Sequence, residues 1–343
     1  MGRDAIPAYV RLHRTGQLAE RSRRLAARLS PCSVCPRLCQ VNRLQDEKGA
    51  CCSGHLPIVS AYGAHFGEEP PITGERGAGN IFFGNCNLRC VYCQNHQISQ
   101  NPGVESRHAL RVESLAEVML ELQARGCHNI NLVSPTHFAP QIVRALLIAA
   151  EQGLRLPLVY NSNGYEALET LQLLDGIVDI YLPDLKYSDE ENALRYSKID
   201  SYVMTARKAI QEMHRQTGTQ WITDAEGILK RGLIIRLLML PNGLAGIEAS
   251  LDFISSELGR DVAVSLMAQY YPAHHAEKQD QYPLLMRRIS AAEWARALAT
   301  LDRLGMTEGW IQDLEAAADC YRPDFANRQD PFNCRYRNSE TIP

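Results

Sequence analysis

Nothing in these 343 residues stays apolar for long. No run approaches the ~18 residues that would cross a bilayer. The first thirty residues are rich in arginine and lack the apolar stretch of a signal peptide. A charge excess is missing too: 36 basic against 39 acidic side chains leave a net charge of −3. That balance gives no global reason to expect nucleic acid or an anionic membrane as partner. No internal repeat, low-complexity tract or base-reading motif stands out. The eleven cysteines are odd in number and clustered, which suits metal binding in a reducing cytoplasm better than a disulfide framework.

What the chain does hold is 45% apolar residues, enough for a core that offsets its ordering entropy. Residues 1–30 place arginines among Leu and Ala at helical spacing and are expected to pack on their own domain with the basic face in solvent. Residues 31–78 read as a cysteine-rich metal-binding segment followed by a Gly- and Pro-rich connector. In that connector Glu68-Glu69 is expected to be solvated, with bracing of a neighbouring loop as the alternative. From residue 79 to 309 strand and helix patterns alternate. Strands are expected at Asn80–Phe83, His128–Val133, Leu156–Tyr160, Ile177–Leu182, Leu233–Leu240 and Val262–Met267. Helices are expected at Val112–Arg125, Pro140–Gln152, Tyr165–Leu174, Asp189–Arg215, Ile247–Leu258 and Ala291–Leu304. Such alternation demands a parallel sheet with right-handed crossovers, an α/β fold. The tail, 310–343, with Cys320 and Cys334, shows no pattern.

The chemistry concentrates in Cys86-Asn-Leu-Arg-Cys90-Val-Tyr-Cys93. Three thiolates are one short of the four that close an iron–sulfur site, so a [4Fe–4S] cluster here keeps one iron open. S-Adenosylmethionine (SAM) can chelate that iron through its amino and carboxylate groups. The alternative is a structural zinc turn completed by Cys127 or another cysteine. Upstream, Cys32-x2-Cys35-x3-Cys39-x11-Cys51 is a four-ligand metal pattern, with Cys52 read as a bystander. Sulfur ligands serve zinc and an auxiliary iron–sulfur cluster alike, so both stay open.

The spacing CX3CX2C, Tyr92 before the last cysteine and Gln94-Asn95 after it resemble the radical SAM superfamily. The longer run GNIFFGNCNLRCVYCQNHQIS is similar to its pyruvate formate-lyase activating enzyme homologues, the branch with an N-terminal cysteine cluster. The resemblance covers about Tyr9 to His275. It implies an open (β/α)6 partial barrel, with Cys86, Cys90 and Cys93 holding the catalytic cluster. It also implies reductive cleavage of SAM to a 5′-deoxyadenosyl radical that abstracts hydrogen, and an electron donor of flavodoxin or ferredoxin type. The substrate would be a protein, a glycine of a partner enzyme being the nearest case. The remaining alternatives are a maturase of another protein or small molecule, and an iron–sulfur electron carrier or sensor.

In a barrel the residues just after each strand face the site. Many radical SAM enzymes carry Gly-Gly-Glu after the second strand for the amino group of SAM; here Ser134 and Thr136 stand in that region. Asn161 and Asn163 follow the third strand. Asp184 and Lys186 follow the fourth, on one face, matching the family's Asp-x-Lys. Arg236 interrupts an apolar fifth strand, where a buried guanidinium needs a carboxylate. Gln269 and His274 follow the sixth and could reach the SAM ribose. Tyr92 completes the cofactor candidates.

Overall fold

The apolar runs form strands that turn residues bound at each end. The computed structural model describes residues 6–314, 323–329, 331–332 and 339–341. In chain order the strands are β1 (Val59–His65), β2 (Ala78–Phe83), β3 (Ile130–Val133), β4 (Leu158–Ser162) and β5 (Ile180–Pro183). They continue with β6 (Ile222–Thr223), β7 (Leu229–Leu238), β8 (Ala263–Met267), β9 (Gly309–Gln312) and β10 (Ser339–Thr341). One sheet runs β1-β2-β3-β4-β5-β7-β8-β9-β10, and β6 pairs with β7 alone. Every pair along that path from β2 to β9 is parallel. β1 and β10 border it in antiparallel fashion and do not pair with each other. The sheet is therefore an open α/β arrangement of the partial-barrel kind.

All six expected strands form, with ends shifted by a few residues. β9 is a seventh parallel strand in a region that showed no pattern. The helical region expected from Asp189 to Arg215 is two helices, Glu190–Ser197 and Tyr202–Thr217. Lys198 and Ser201 between them take positive φ and break the run. Cys320 and Cys334 lie outside the described residues.

At the N-terminus α1 (Ala8–Arg14) and α2 (Gln17–Ala27) flank Gly16, which sits at φ 75°. Leu18 and Leu25 are fully buried, and α2 packs on the helix Ala139–Glu151. Arg21 donates to Leu173 O at 3.1 Å and Asp175 O at 2.6 Å. It thereby satisfies carbonyls that the helix Leu168–Leu174 leaves free. The basic face belongs to its own domain.

The connector expected over 54–78 is instead built structure. It holds β1, whose small residues Ser60, Ala61, Gly63 and Ala64 hid its alternation. It then makes a one-turn helix, Pro70–Thr73, started by two prolines whose fixed φ suits a first turn. Ile72 packs with Ala78, Val159, Ile180, Leu229 and Ala263, residues at the starts of the strands. Asn129 Nδ2 holds Ile72 O at 2.8 Å. This segment plugs the N-terminal end of the barrel. At Gly74 a side chain would strike Ile228 and His128, so only glycine lets the plug turn back toward β2.

Candidate functional site

A cavity of about 1010 Å³ runs inside the sheet, and Cys86, Cys90 and Cys93 line it together. The three cysteines follow β2, at the C-terminal end of the parallel strands, where such folds carry their sites. Cys127 precedes β3, at the opposite end of the sheet, packed against Gly79. It cannot complete a ligand set with Cys86, which corrects the zinc-turn alternative that used it.

Polar groups reach each thiol. Ser197 Oγ donates to Cys90 Sγ at 3.0 Å, and Ser99 Oγ lies 3.1 Å from Cys93 Sγ. Asn163 Nδ2 and the Leu88 N–H each approach Cys86 Sγ at 3.4 Å. Burial pushes the Cys90 thiol up to about 12, against the pull of Lys186. Burial raises Cys93 as well, partly offset by Ser99. Buried thiols ringed by donors suit a cationic metal group, which reverses their preference for the proton.

Along the cavity wall stand Tyr92, Ser134, Asn161, Asn163, Asp184, Lys186, Arg236 and Gln269. Lys186 Nζ binds Asp184 Oδ2 at 2.6 Å, with 15% and 23% of the side chains exposed. Burial alone would lower the lysine's affinity for its proton, but Asp184, then Cys90, hold it above the usual value. Tyr92 is buried and packs edge-on to Tyr187 and Tyr270, so it backs the cysteine loop.

Two expected cofactor residues are not in this wall. The Thr136 hydroxyl turns to Glu166 Oε1 at 2.5 Å, because that buried carboxyl needs donors. His274 stacks on His96 with ring centroids 4.8 Å apart and touches His275 at 3.8 Å. Neither lines the cavity.

Arg236 does line the cavity, but its fork is already engaged. Its Nε and Nη2 reach the Glu69 carboxylate at 2.8 and 2.6 Å, and Nη2 also meets Glu68. Glu68 and Glu69 are 8% and 5% exposed in their side chains, so the solvated reading of this pair is overturned. Glu68 Oε1 further accepts from Asn80 at 2.7 Å and Asn131 at 2.9 Å. Burial alone would raise the Glu68 carboxyl, yet Arg236, His65 and Asn80 together hold it down at about 2. Sequence reasoning treated the two halves of this clamp separately. The signal was a lone arginine in an apolar strand and two acids before a Pro-Pro turn.

In the N-terminal segment Cys32, Cys35 and Cys51 are buried and Cys39 is half-buried. Burial raises the Cys35 thiol, and the neighbouring Cys51, Cys32 and Cys39 reinforce the shift, so the four sit within electrostatic reach. Among the described residues no three His, Cys, Asp or Glu side chains converge closely enough to hold a single metal ion. This is true of both cysteine sets. No described helix is long and apolar enough to cross a membrane.

The family model for the radical SAM superfamily matches residues 80–224, the stretch from β2 to β6 that carries the three cysteines. The uncharacterized protein MJ0674 of Methanocaldococcus jannaschii is 32% identical over 282 residues, 80% of this chain and 75% of that protein. A second protein of that organism, MJ0808, is 24% identical over 285 residues, 78% and 77% of the two chains. The chain belongs to the radical SAM superfamily, whose members are enzymes that use radical chemistry with a [4Fe–4S] cluster and SAM. Among solved structures, that of Streptococcus suis SuiB bound to precursor peptide SuiA aligns with a TM-score of 0.40 at 14% identity. It covers 64% of this chain, and this chain spans 42% of that one.

Proposed function

We propose that this protein reductively cleaves SAM at Cys86, Cys90 and Cys93 and uses the resulting radical to take hydrogen from a polypeptide substrate. One observation carries the catalytic part: three thiols, Cys90 buried and Cys86 and Cys93 half-buried, share a cavity with the Asp184–Lys186 pair. When bound, the cluster and SAM supply the electron transfer and the radical. The chain's own residues bind and orient. Lys186 offers a cation to a carboxylate, Asp184 an anion to an ammonium, and Ser134, Asn161, Asn163 and Gln269 offer neutral hydrogen bonds. Ser197 and Ser99 steady the thiolates. A passive electron carrier has no use for such a polar cavity beside its cluster.

The substrate reading rests on the acidic net charge and the absence of a basic recognition surface in the sequence. A glycine of a partner enzyme is its narrowest form. The N-terminal cysteines form a second metal site, and a flavodoxin- or ferredoxin-type protein serves as donor in a reducing cytoplasm. A small molecule is the second reading, favoured by the enclosed cavity of about 1010 Å³ that the three cysteines share.

Anaerobic reconstitution with SAM and dithionite is the test. The protein should release 5′-deoxyadenosine, and Ala at Cys86, Cys90 or Cys93 should abolish both the cluster's absorbance and that product. Continued release from the triple variant would end the proposal. A glycyl-type radical on a co-expressed protein would support the polypeptide substrate. Label passing from a free metabolite, with no protein present, would favour the small molecule.

A further inference from the structure

The helix Glu190–Ser197 ends against the loop Cys86–Cys93 and holds it with its last two residues. Tyr196 O accepts from the Val91 N–H at 2.8 Å, and Ser197 O accepts from the Arg89 N–H at 3.2 Å. Carbonyls at a helix C-terminus have no partner within the helix, so they are free to take these amides. Between the two, Ser197 Oγ donates to Cys90 Sγ at 3.0 Å, across 107 positions of chain. Behind Ser197 stands Tyr187, with its Oη 2.7 Å from Ser197 Oγ. Both residues are fully buried. Lys186 lines the cavity and Tyr187, the next residue, does not. The loop after β5 therefore serves the cavity with one side chain and the cysteine loop with the next.

The hydrogens in this chain can run only one way. A cysteine bound to iron is a thiolate with no hydrogen to give, so the single hydroxyl hydrogen of Ser197 goes to Cys90. Tyr187 must then donate to Ser197. In a dry interior each bond polarises the next, and the sulfur at the end feels a stronger donor than a lone serine. Cys86 is served more weakly, since Asn163 Nδ2 and the Leu88 N–H both stay at 3.4 Å.

We infer that Tyr187 and Ser197 set the reduction potential of the cluster held by Cys86, Cys90 and Cys93, raising it above what the cysteines alone would give. The inference rests on the catalytic reading of those cysteines given above. On reduction the cluster gains one electron and a donor of the flavodoxin or ferredoxin class loses one; no bond forms or breaks. The added negative charge reaches the thiolates, so a hydroxyl aimed at one of them stabilises the reduced form more than the oxidised. Neither Ser197 nor Tyr187 lines the cavity. They are positioning residues that act through Cys90.

The test is a redox titration of the full chain, reconstituted anaerobically with iron and sulfide and followed by electron paramagnetic resonance. The signal that changes on adding SAM identifies the cluster at Cys86, Cys90 and Cys93. At a fixed poise Ser197→Ala should lower its ratio of reduced to oxidised form roughly tenfold, which is about 59 mV for a one-electron couple. Tyr187→Phe should lower it roughly threefold, because it weakens the serine without removing it. Ser197→Thr keeps the hydroxyl and should stay near wild type. A filled Ser197→Ala cluster with the wild-type potential would overturn the tuning and leave SAM cleavage standing. Should Ser197→Ala lose its cluster, Tyr187→Phe decides, since it retains Ser197. An unchanged potential there would leave Ser197 a structural support and overturn the inference. Wild-type protein with no SAM-responsive cluster would end the catalytic reading, and the tuning with it.

Discussion

Lys186 pairs with the Asp184 carboxylate, and that contact keeps it charged inside the protein. Replacing it with Ala removes a charged donor from the proposed SAM pocket, and SAM binding should weaken by roughly 1.5–3 kcal/mol, the scale of a charged hydrogen bond. Isothermal titration of reconstituted protein measures this, and iron content should not change. Loss of iron in Lys186→Ala would show the lysine supporting the cysteine loop instead. Asp184 and Lys186 were readable in the sequence because two charges at alternate positions after an apolar strand must share one face. Thr136 and His274, expected only from their place after a strand, lie outside the cavity wall. Each lies in a 3-10 turn after its strand, where alternation no longer governs direction.

At the scale of elements, the plug between β1 and β2 was the part least open to reading. Gly, Pro and acidic residues describe a solvated loop as well as a tight one, and only the partner, Arg236 on β7, decides between them. Arg236→Ala would strand two carboxylates in a dry interior. Urea unfolding should then show a loss of about 3–5 kcal/mol, the usual cost of breaking a buried pair from one side. Arg236→Ala with Glu68→Gln and Glu69→Gln should recover much of it, because nothing charged is left unpaired. A single variant as stable as wild type would mean the clamp does not hold the plug. The alternating strands and helices were readable because long apolar periods survive without knowledge of partners. β9 was not, since Gly-Trp-Ile-Gln shows no clear alternation and its place is set by pairing with β8.

Across the whole molecule, two kinds of buried carboxyl act against each other as pH changes. Glu68 titrates near 2 in the fold and near 4.3 when unfolded. Its contribution is therefore present above pH ~4.5 and is lost as the pH falls toward ~2. Glu166, raised by burial to about 7 despite the hydroxyls of Thr136, Ser162 and Tyr160, has the opposite sign. Its stabilising share is complete below pH ~4.3 and disappears as pH rises through ~7, a change on the order of 3 kcal/mol. Glu166→Gln should flatten the fall in stability between pH 5 and 7.5 in thermal or urea melts. An unaltered slope would mean that Glu166 is not the group responsible.

The contacts that seat the N-terminal segment also set a schedule. Ala8 N binds Asp179 Oδ1, 171 residues further along, and Tyr9 Oη donates to Leu156 O. Thr170 Oγ1 holds Val34 O, and Arg37 reaches Lys198 O. Every one of these acceptors or donors is translated long after its partner. At ~5–20 residues per second, 171 residues take roughly 10–30 s. For that interval the first four cysteines have left the ribosome while the barrel that buries them is still being made. Both cysteine sets are therefore made before β3 to β9, the strands that later close around them.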